Sequence, residues 1–269
     1  MSSVRSSRRW LLAAPLAVLT VVASAGLLRA RFDPVAPGAG AADAGGSGAG
    51  ASPPAPPPSR EPRVSVGLAG QAGPVPARGS GLFAYAPGRG PVLGGKGTLR
   101  RFQVAVERGS NEDVVTFAAQ VDRILGDRRS WIGDGRVRFQ RVGPADAHAF
   151  RILLTTRETA GRLCSAGGMN IVYGAHPYTS CRLPGRVVIN LDRWRFSAAS
   201  YRAAKVPLAT YRHYLINHEV GHELGRGHEG CPRRRGPAPV MVQQTLSLRG
   251  CLPYAWPRRA DRPLSGPGV

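Results

Sequence analysis

The sequence predicts an α+β domain, on three observations. Short runs in its first half alternate polar and apolar residues at strand spacing. One long helix-forming stretch follows them. Beyond that stretch Gly, Pro and Arg dominate and leave room only for short irregular elements. Taken in order, Arg100 to Glu107 (RRFQVAVE) is the first strand. Ser110 stands where it would cap a helix from Glu112 to Leu125, whose Val114, Phe117, Ala118, Val121 and Leu125 share one face. Arg136 to Val142 and Phe150 to Thr155 are two further strands, and Glu158 to Leu163 a short helix. Arg186 to Leu191 (RVVINL) is the most strand-like run in the chain, and Tyr211 to Leu224 the clearest helix.

The chain has 269 residues, with Gly 35 and Pro 24, and much of that excess falls between 33 and 80. About 190 residues remain to fold, enough for a single domain with its own core. Cys 4 is too few for a small disulfide scaffold. The formal charge is +21, and all but Lys96 and Lys205 of the 37 basic residues are Arg. From Ser80 onward the balance is still 29 basic to 13 acidic residues. Such a surface attracts polyanions. No zinc finger, aromatic RNA-binding signature or basic heptad region is present, so no specific nucleic-acid partner is expected. Anionic envelope polymers and lipid headgroups fit better.

The N-terminus has the plan of an export signal. Arg5, Arg8 and Arg9 precede the uncharged run Trp10 to Leu28, which Arg29 and Arg31 close. The run reaches the length of a membrane-spanning helix, and Ala23-Ser24-Ala25 offers a cleavage site. Residues 1–31 are therefore expected to be a signal peptide or a membrane anchor, with the remainder outside the cell. Residues 32–80, rich in Gly, Ala and Pro, read as a disordered linker. Residues 81–258 read as the domain and 259–269 as a disordered tail. A single apolar run excludes a multi-span membrane protein.

Three of the six His residues fall within eleven positions, in His218-Glu219-Val220-Gly221-His222-Glu223-Leu224-Gly225-Arg226-Gly227-His228. Residues four apart lie one above the other on a helix, so His218 and His222 point the same way, as two imidazoles sharing an ion must. Gly225 is suited to end the helix sharply and let His228 return as a third ligand. Three nitrogen ligands leave one coordination position open, the arrangement of a catalytic rather than a structural zinc. Glu219, beside the first ligand, is placed to take a proton from an attacking water and pass it to the leaving amine.

These residues carry a resemblance. HEVGHELGRGH matches the HExxHxxGxxH pattern of metzincin metalloproteases at every fixed position. Ala238-Pro239-Val240-Met241-Val242 supplies a segment like the Met-turn of that clan. The segments NHEVGHELGRGHEGCP, APVMVQQT, CLPYAWP and VVINLDRW further resemble an uncharacterised actinobacterial family of exported zincin-like proteins, over roughly 80–258. The resemblance implies a zincin-like domain with a mixed sheet, an active-site helix and an irregular C-terminal subdomain. It also implies Met241 beneath the ion. Where some metzincins place a Tyr ligand, this chain has Gln243, so no fifth ligand is expected. Glu229 after His228 is shared with the astacin-like group.

Cys164, Cys181, Cys231 and Cys251 allow three pairings. Cys164–Cys181 and Cys231–Cys251 are expected, the second clamping the irregular segment that carries Met241. His148 and His213 are given no role. His176, between two Cys, has two readings: a surface residue or part of the cleft wall. Asn217 and Glu223 are candidates to orient a ligand. Arg186 to Leu191 is either the strand that edges the cleft or a central one. Trp194, Tyr254 and Trp256 either wall a pocket or pack. Arg233-Arg234-Arg235 is read first as a solvated loop, second as a recognition patch for acidic substrate.

The reading is an exported zinc metallopeptidase acting on peptide or protein substrates, including envelope-associated ones. His218, His222 and His228 hold zinc, Glu219 is general base and acid, and Gly225 and Met241 give support. Two rivals stand beside it: a non-catalytic envelope-binding module of the same fold, and a zinc amidase acting on cell-wall peptides.

Overall fold

The structure, a computed structural model, describes residues 73–269. The expected signal or anchor, and the linker up to residue 72, lie outside the described residues. Within them no helix is long and apolar enough to cross a membrane.

A seven-stranded mixed sheet forms the frame. Its strands are β1 (Phe83–Tyr85), β2 (Val92–Leu93), β3 (Thr98–Glu107), β4 (Val137–Arg141), β5 (Phe150–Thr155), and, past a small hairpin of β6 (Val172–Tyr173) and β7 (His176–Pro177), β8 (Cys181–Leu183) and β9 (Arg186–Asn190). The order is β2-β4-β3-β5-β9-β8, with β1 pairing the far half of β3. β4, β3, β5 and β9 run parallel, while β1, β2 and β8 are antiparallel additions. Parallel strands are usually covered on both faces, and β9 illustrates it. Val187 and Ile189 enter the main core and Val188 a smaller one behind it. β9 is thus an interior strand. The edge belongs to β8, and Leu191, expected to end the strand, opens a helix instead.

Helices α1 (Val114–Leu125) and α5 (Leu208–Glu223) pack on one face, and α2 (Arg157–Ala166) on the other. Between them come α3 (Leu191–Phe196) and α4 (Ala199–Ala203). α1 starts later than expected. Asp113, not Ser110, caps it, accepting from the Thr116 amide at 2.7 Å. Asn111 takes a left-handed turn (φ 60) between the two, so the helix cannot begin before it. The core centres on Phe102, Phe139 and Phe150, which meet edge to face or stacked with ring centres 5.6 to 6.3 Å apart. Each such ring, fully enclosed, contributes roughly 1.5–3 kcal/mol.

After α5 the chain is irregular apart from a small hairpin, β10 (Arg258–Arg259) and β11 (Arg262–Pro263). Disulfides Cys164–Cys181 and Cys231–Cys251 are both formed. The second closes the segment around Met241, and a loop of that size contributes about 3 kcal/mol by chain entropy. Residues 259–269, expected to be a disordered tail, pack instead on the loop after α5. Gly230 N–H donates to the Pro267 carbonyl at 2.7 Å, and Gly266 N–H to the Glu229 carboxylate at 3.0 Å. Residues 73–80, expected within the linker, also belong to the domain. Glu158 N–H donates to the Ala77 carbonyl, and Val75 packs on the core. In both places backbone hydrogen bonds, invisible to composition, order Gly- and Pro-rich chain.

Candidate metal centre

α5 is enclosed on nearly all sides. A helix in that position ordinarily carries apolar residues all round. This one buries His218 and Glu219 at 5% exposure each, with His222 half-buried one turn on. The helix then stops within one residue. Gly225 adopts φ +83, Gly225 N–H donates to the His222 carbonyl and Arg226 N–H to that of Gly221. That paired closure needs a left-handed residue, which Gly supplies without a Cβ clash. It also turns the Arg226 carbonyl back to accept from His222 Nδ1 at 2.8 Å. His218 Nδ1 donates to the Val240 carbonyl at 2.8 Å.

Those two bonds fix the tautomers. With Nδ1 donating, each Nε2 presents a lone pair. The His218 and His222 Nε2 atoms are 3.2 Å apart, and those of His222 and His228 3.1 Å. Lone pairs at that separation repel one another; a cation between them turns them into ligands. Burial holds all three imidazoles below their ordinary pKa, His218 at about 3, so they are neutral, the form that binds metal. Among the described residues these three form a group able to hold one metal ion. Three neutral nitrogens, two of them with a carbonyl partner behind the ring, form a donor set able to hold a divalent metal ion.

Glu219 lies in the same cleft and makes no hydrogen bond to another described residue; burial pushes its carboxyl up to about 8. The cleft encloses about 420 Å³. One wall is Thr179 to Arg182, leading into β8; the other is Gln243, Thr245 and Leu246. Gln243 lines this cleft without replacing any histidine.

Met241 packs against α5 at Gly221. A Cβ at Gly221 would fall 2.5 Å from its Sδ and 2.7 Å from Trp131 Cζ2, so only Gly lets α5 settle on this floor. The floor itself is held by hydroxyls and one amide. Tyr214 donates to the Val242 carbonyl at 3.1 Å. The fully buried Gln244 side chain accepts from Tyr201 and donates to the Pro239 and Tyr254 carbonyls.

Several residues singled out from the sequence fall elsewhere. Asn217 contacts no ligand. It accepts from Ser130 Oγ at 2.7 Å and donates to the Ala255 carbonyl, tying α5 to neighbouring loops. Glu223 turns away too, accepting from Arg182 at 2.8 Å and Arg100 at 3.4 Å. Both lie off the helix face that carries the imidazoles. His176 sits exposed on the small hairpin, outside the cleft wall. Trp194 and Trp256 are packing residues, against Phe117 and His213, and Tyr254 bonds the Arg258 carbonyl. Arg233 to Arg235 are exposed and line no part of the cleft. Sequence reasoning missed Gly221, Tyr214 and Gln244. Only Gly221 carried a signal: a helix-breaking residue in the middle of a confident helix.

Fold and site define a mixed α+β, disulfide-linked protein whose buried central helix presents converging imidazoles and one carboxyl to an open cleft. Within that class the chain belongs to the family described as "Protein of unknown function (DUF3152)", whose model matches residues 69–253, more than two-thirds of the sequence. No curated protein and no solved structure matches it.

Proposed function

We propose that this protein is an exported zinc-dependent metallopeptidase of metzincin type. The observation that carries the reading is the meeting of three Nε2 atoms, two with their tautomers fixed by carbonyls, beside a buried carboxyl that bonds no other described residue. Met241 packed under the helix, as the metzincin resemblance implies, supports the finer assignment. The two disulfides fit an extracytoplasmic location.

A zinc ion held by His218, His222 and His228 would supply Lewis acidity, polarising the scissile carbonyl and acidifying water. The protein's own groups do the rest. Glu219 accepts the proton of the attacking water and returns it to the leaving amine. β8 ends the sheet; among the described residues no further strand pairs with its outer edge, where an extended substrate would add.

The test uses the full-length chain. Elemental analysis is expected to find one zinc per chain, lost in His222→Ala. A diverse peptide pool is expected to be cut, with new termini read by mass spectrometry. Glu219→Ala keeps the zinc and lowers the rate by about 10²–10⁴. A folded chain that binds no metal overturns the reading. Zinc binding with no peptide cleavage, but release of soluble peptide from purified cell wall, replaces it with the amidase.

A further inference from the structure

The loop that Cys231–Cys251 closes holds four arginines, Arg233, Arg234, Arg235 and Arg249, and no acidic residue. All four are exposed, and none makes an ion pair with another described residue. The fold gathers them. Arg235 N–H donates to the Gly250 carbonyl at 2.8 Å, and the Arg234 side chain crosses Gly250, where a Cβ would stand 3.5 Å from its Cγ. Arg235 and Arg249 both have left-handed backbones, at φ 60 and φ 50. Gly or Asn would hold such turns with less strain. Like charges drawn together also repel. A disulfide and two strained turns that keep four cations in one place, with no anion among them, make a surface for an anion from outside.

Its position indicates which anion. The same closed loop supplies Gln243, Thr245 and Leu246 to one wall of the cleft. Leu246 and Ser247 N–H groups donate to the Gln243 carbonyl, and Cys251 N–H to that of Leu248, so tight turns lead from the wall to Arg249. Arg249 stands three positions after Leu246. Even fully extended, that stretch spans at most about 11 Å. A peptide strand covers the same distance in about three or four residues. A chain leaving the cleft over this wall therefore reaches the arginines at once. The cleft itself is poor in acid. Glu219 is its one lining carboxyl, while Arg182 and Arg226 also line it. A surface polymer would need the charge but not its junction with the wall; a substrate uses both.

We propose that this loop is a recognition site for an acidic segment of the peptide substrate, held beside the cleft by Arg233, Arg234, Arg235 and Arg249. The inference rests on the peptidase reading for its substrate class. Guanidinium groups take carboxylates in a two-pronged, charge-assisted pair. On an exposed surface such pairs act through their number and steer the encounter, so they lower KM and weaken with salt.

The test uses the zinc-loaded full chain and peptides that carry a run of Glu, Gln or Lys at increasing distance from either end of a common core. Each is measured as a substrate (kcat and KM) and as a ligand (fluorescence anisotropy). Glu is expected to exceed Gln by roughly tenfold or more in affinity and, through KM, in kcat/KM, when the run starts about three to six residues from the core. That advantage is expected to shrink between about 0.05 and 0.5 M salt. The triple variant Arg233→Glu, Arg234→Glu, Arg235→Glu reverses the order, making the Lys peptide the better one, and Arg249→Glu alone weakens the preference. Replacing the same three residues with Lys keeps it. A second triple variant, Arg101→Glu, Arg108→Glu, Arg186→Glu, changes the net charge equally at exposed positions outside the cleft lining and retains the Glu preference. Equal loss of preference in the two triple Glu variants, or a preference that survives in the first, overturns the proposal. So does capture of phosphatidylglycerol vesicles through the loop by a chain indifferent to the Glu peptides, which would make the partner a lipid surface. Glu-selective binding that the first variant reverses, without cleavage, leaves the loop its acidic ligand and removes the peptidase reading. Cleavage with no preference for Glu keeps the peptidase and removes this proposal.

Discussion

A methyl group at position 221 has nowhere to go. It would meet Met241 Sδ at 2.5 Å and the Trp131 ring at 2.7 Å, and the Trp131 indole is itself held by the Asn217 carbonyl at 3.0 Å. Gly221→Ala gains about 1 kcal/mol of helix propensity and loses roughly 1–3 kcal/mol to overpacking. The expected result is a lower melting temperature and weaker zinc binding, measured by calorimetry with and without the ion. At this scale the sequence was legible where spacing alone sets geometry. His218, Glu219 and His222 follow from the helical repeat, and His228 from a glycine placed to end it. It was illegible where the partner comes from far along the chain. Nothing near Asn217 announces Ser130, and nothing near Glu223 announces Arg100 and Arg182. Two residues that flank ligands in sequence therefore belong to the scaffold.

The end of α5 links helix termination to ligand geometry. The closure that depends on Gly225 at φ +83 also delivers the Arg226 carbonyl to His222. Gly225→Ala forces a side chain into the left-handed region at about 1–2 kcal/mol. Removing or shifting the partner behind a ligand typically weakens metal affinity about 10–100-fold. A competition titration with a zinc chelator is expected to show a loss in that range, with most secondary structure kept by circular dichroism. Among the elements, the long ones were readable. β3, β5 and β9 show period-two or β-branched runs, and α5 a full helical stretch. β1, β2, β6, β7 and β8 have two or three residues each, too few for any period to emerge. β8 was the costliest to miss, because it rather than β9 forms the rim of the cleft.

Across the whole molecule, an irregular half is held to a regular one by a few long-range fastenings. Within the irregular half, Cys231–Cys251 closes a loop. Replacing both with Ser is expected to cost about 3 kcal/mol and to loosen the floor under the imidazoles. Thermal melts of the oxidised and substituted proteins, compared with zinc present, measure both effects. Chelation gives a second reading. A ligand bound only by the folded state at a hundredfold excess over its Kd stabilises by about 2.7 kcal/mol, so adding a chelator is expected to lower the melting temperature in wild type and leave His222→Ala unchanged. The α+β class was legible from the division between patterned and unpatterned sequence. The order in the last eleven residues was not, because it comes from backbone bonds to Glu229 and Gly230 rather than from any apolar pattern.

Those final residues have a consequence for timing. The loop bearing His228 is bonded on one side to the Met241 carbonyl, through Glu229 N–H, and on the other to Pro267 and Val269. A ribosome or a translocation channel delivers the chain from its N-terminus. His218 and His222 emerge first, and Pro267 follows His222 only 45 positions later. Under the proposed metal-binding reading, an ion met during that interval would have two points of attachment and would exchange freely. The third would become firm only once Pro267 and Val269 brace the loop. In the proposed metallopeptidase, the third attachment point for the ion would thereby be the last of the three to become firm.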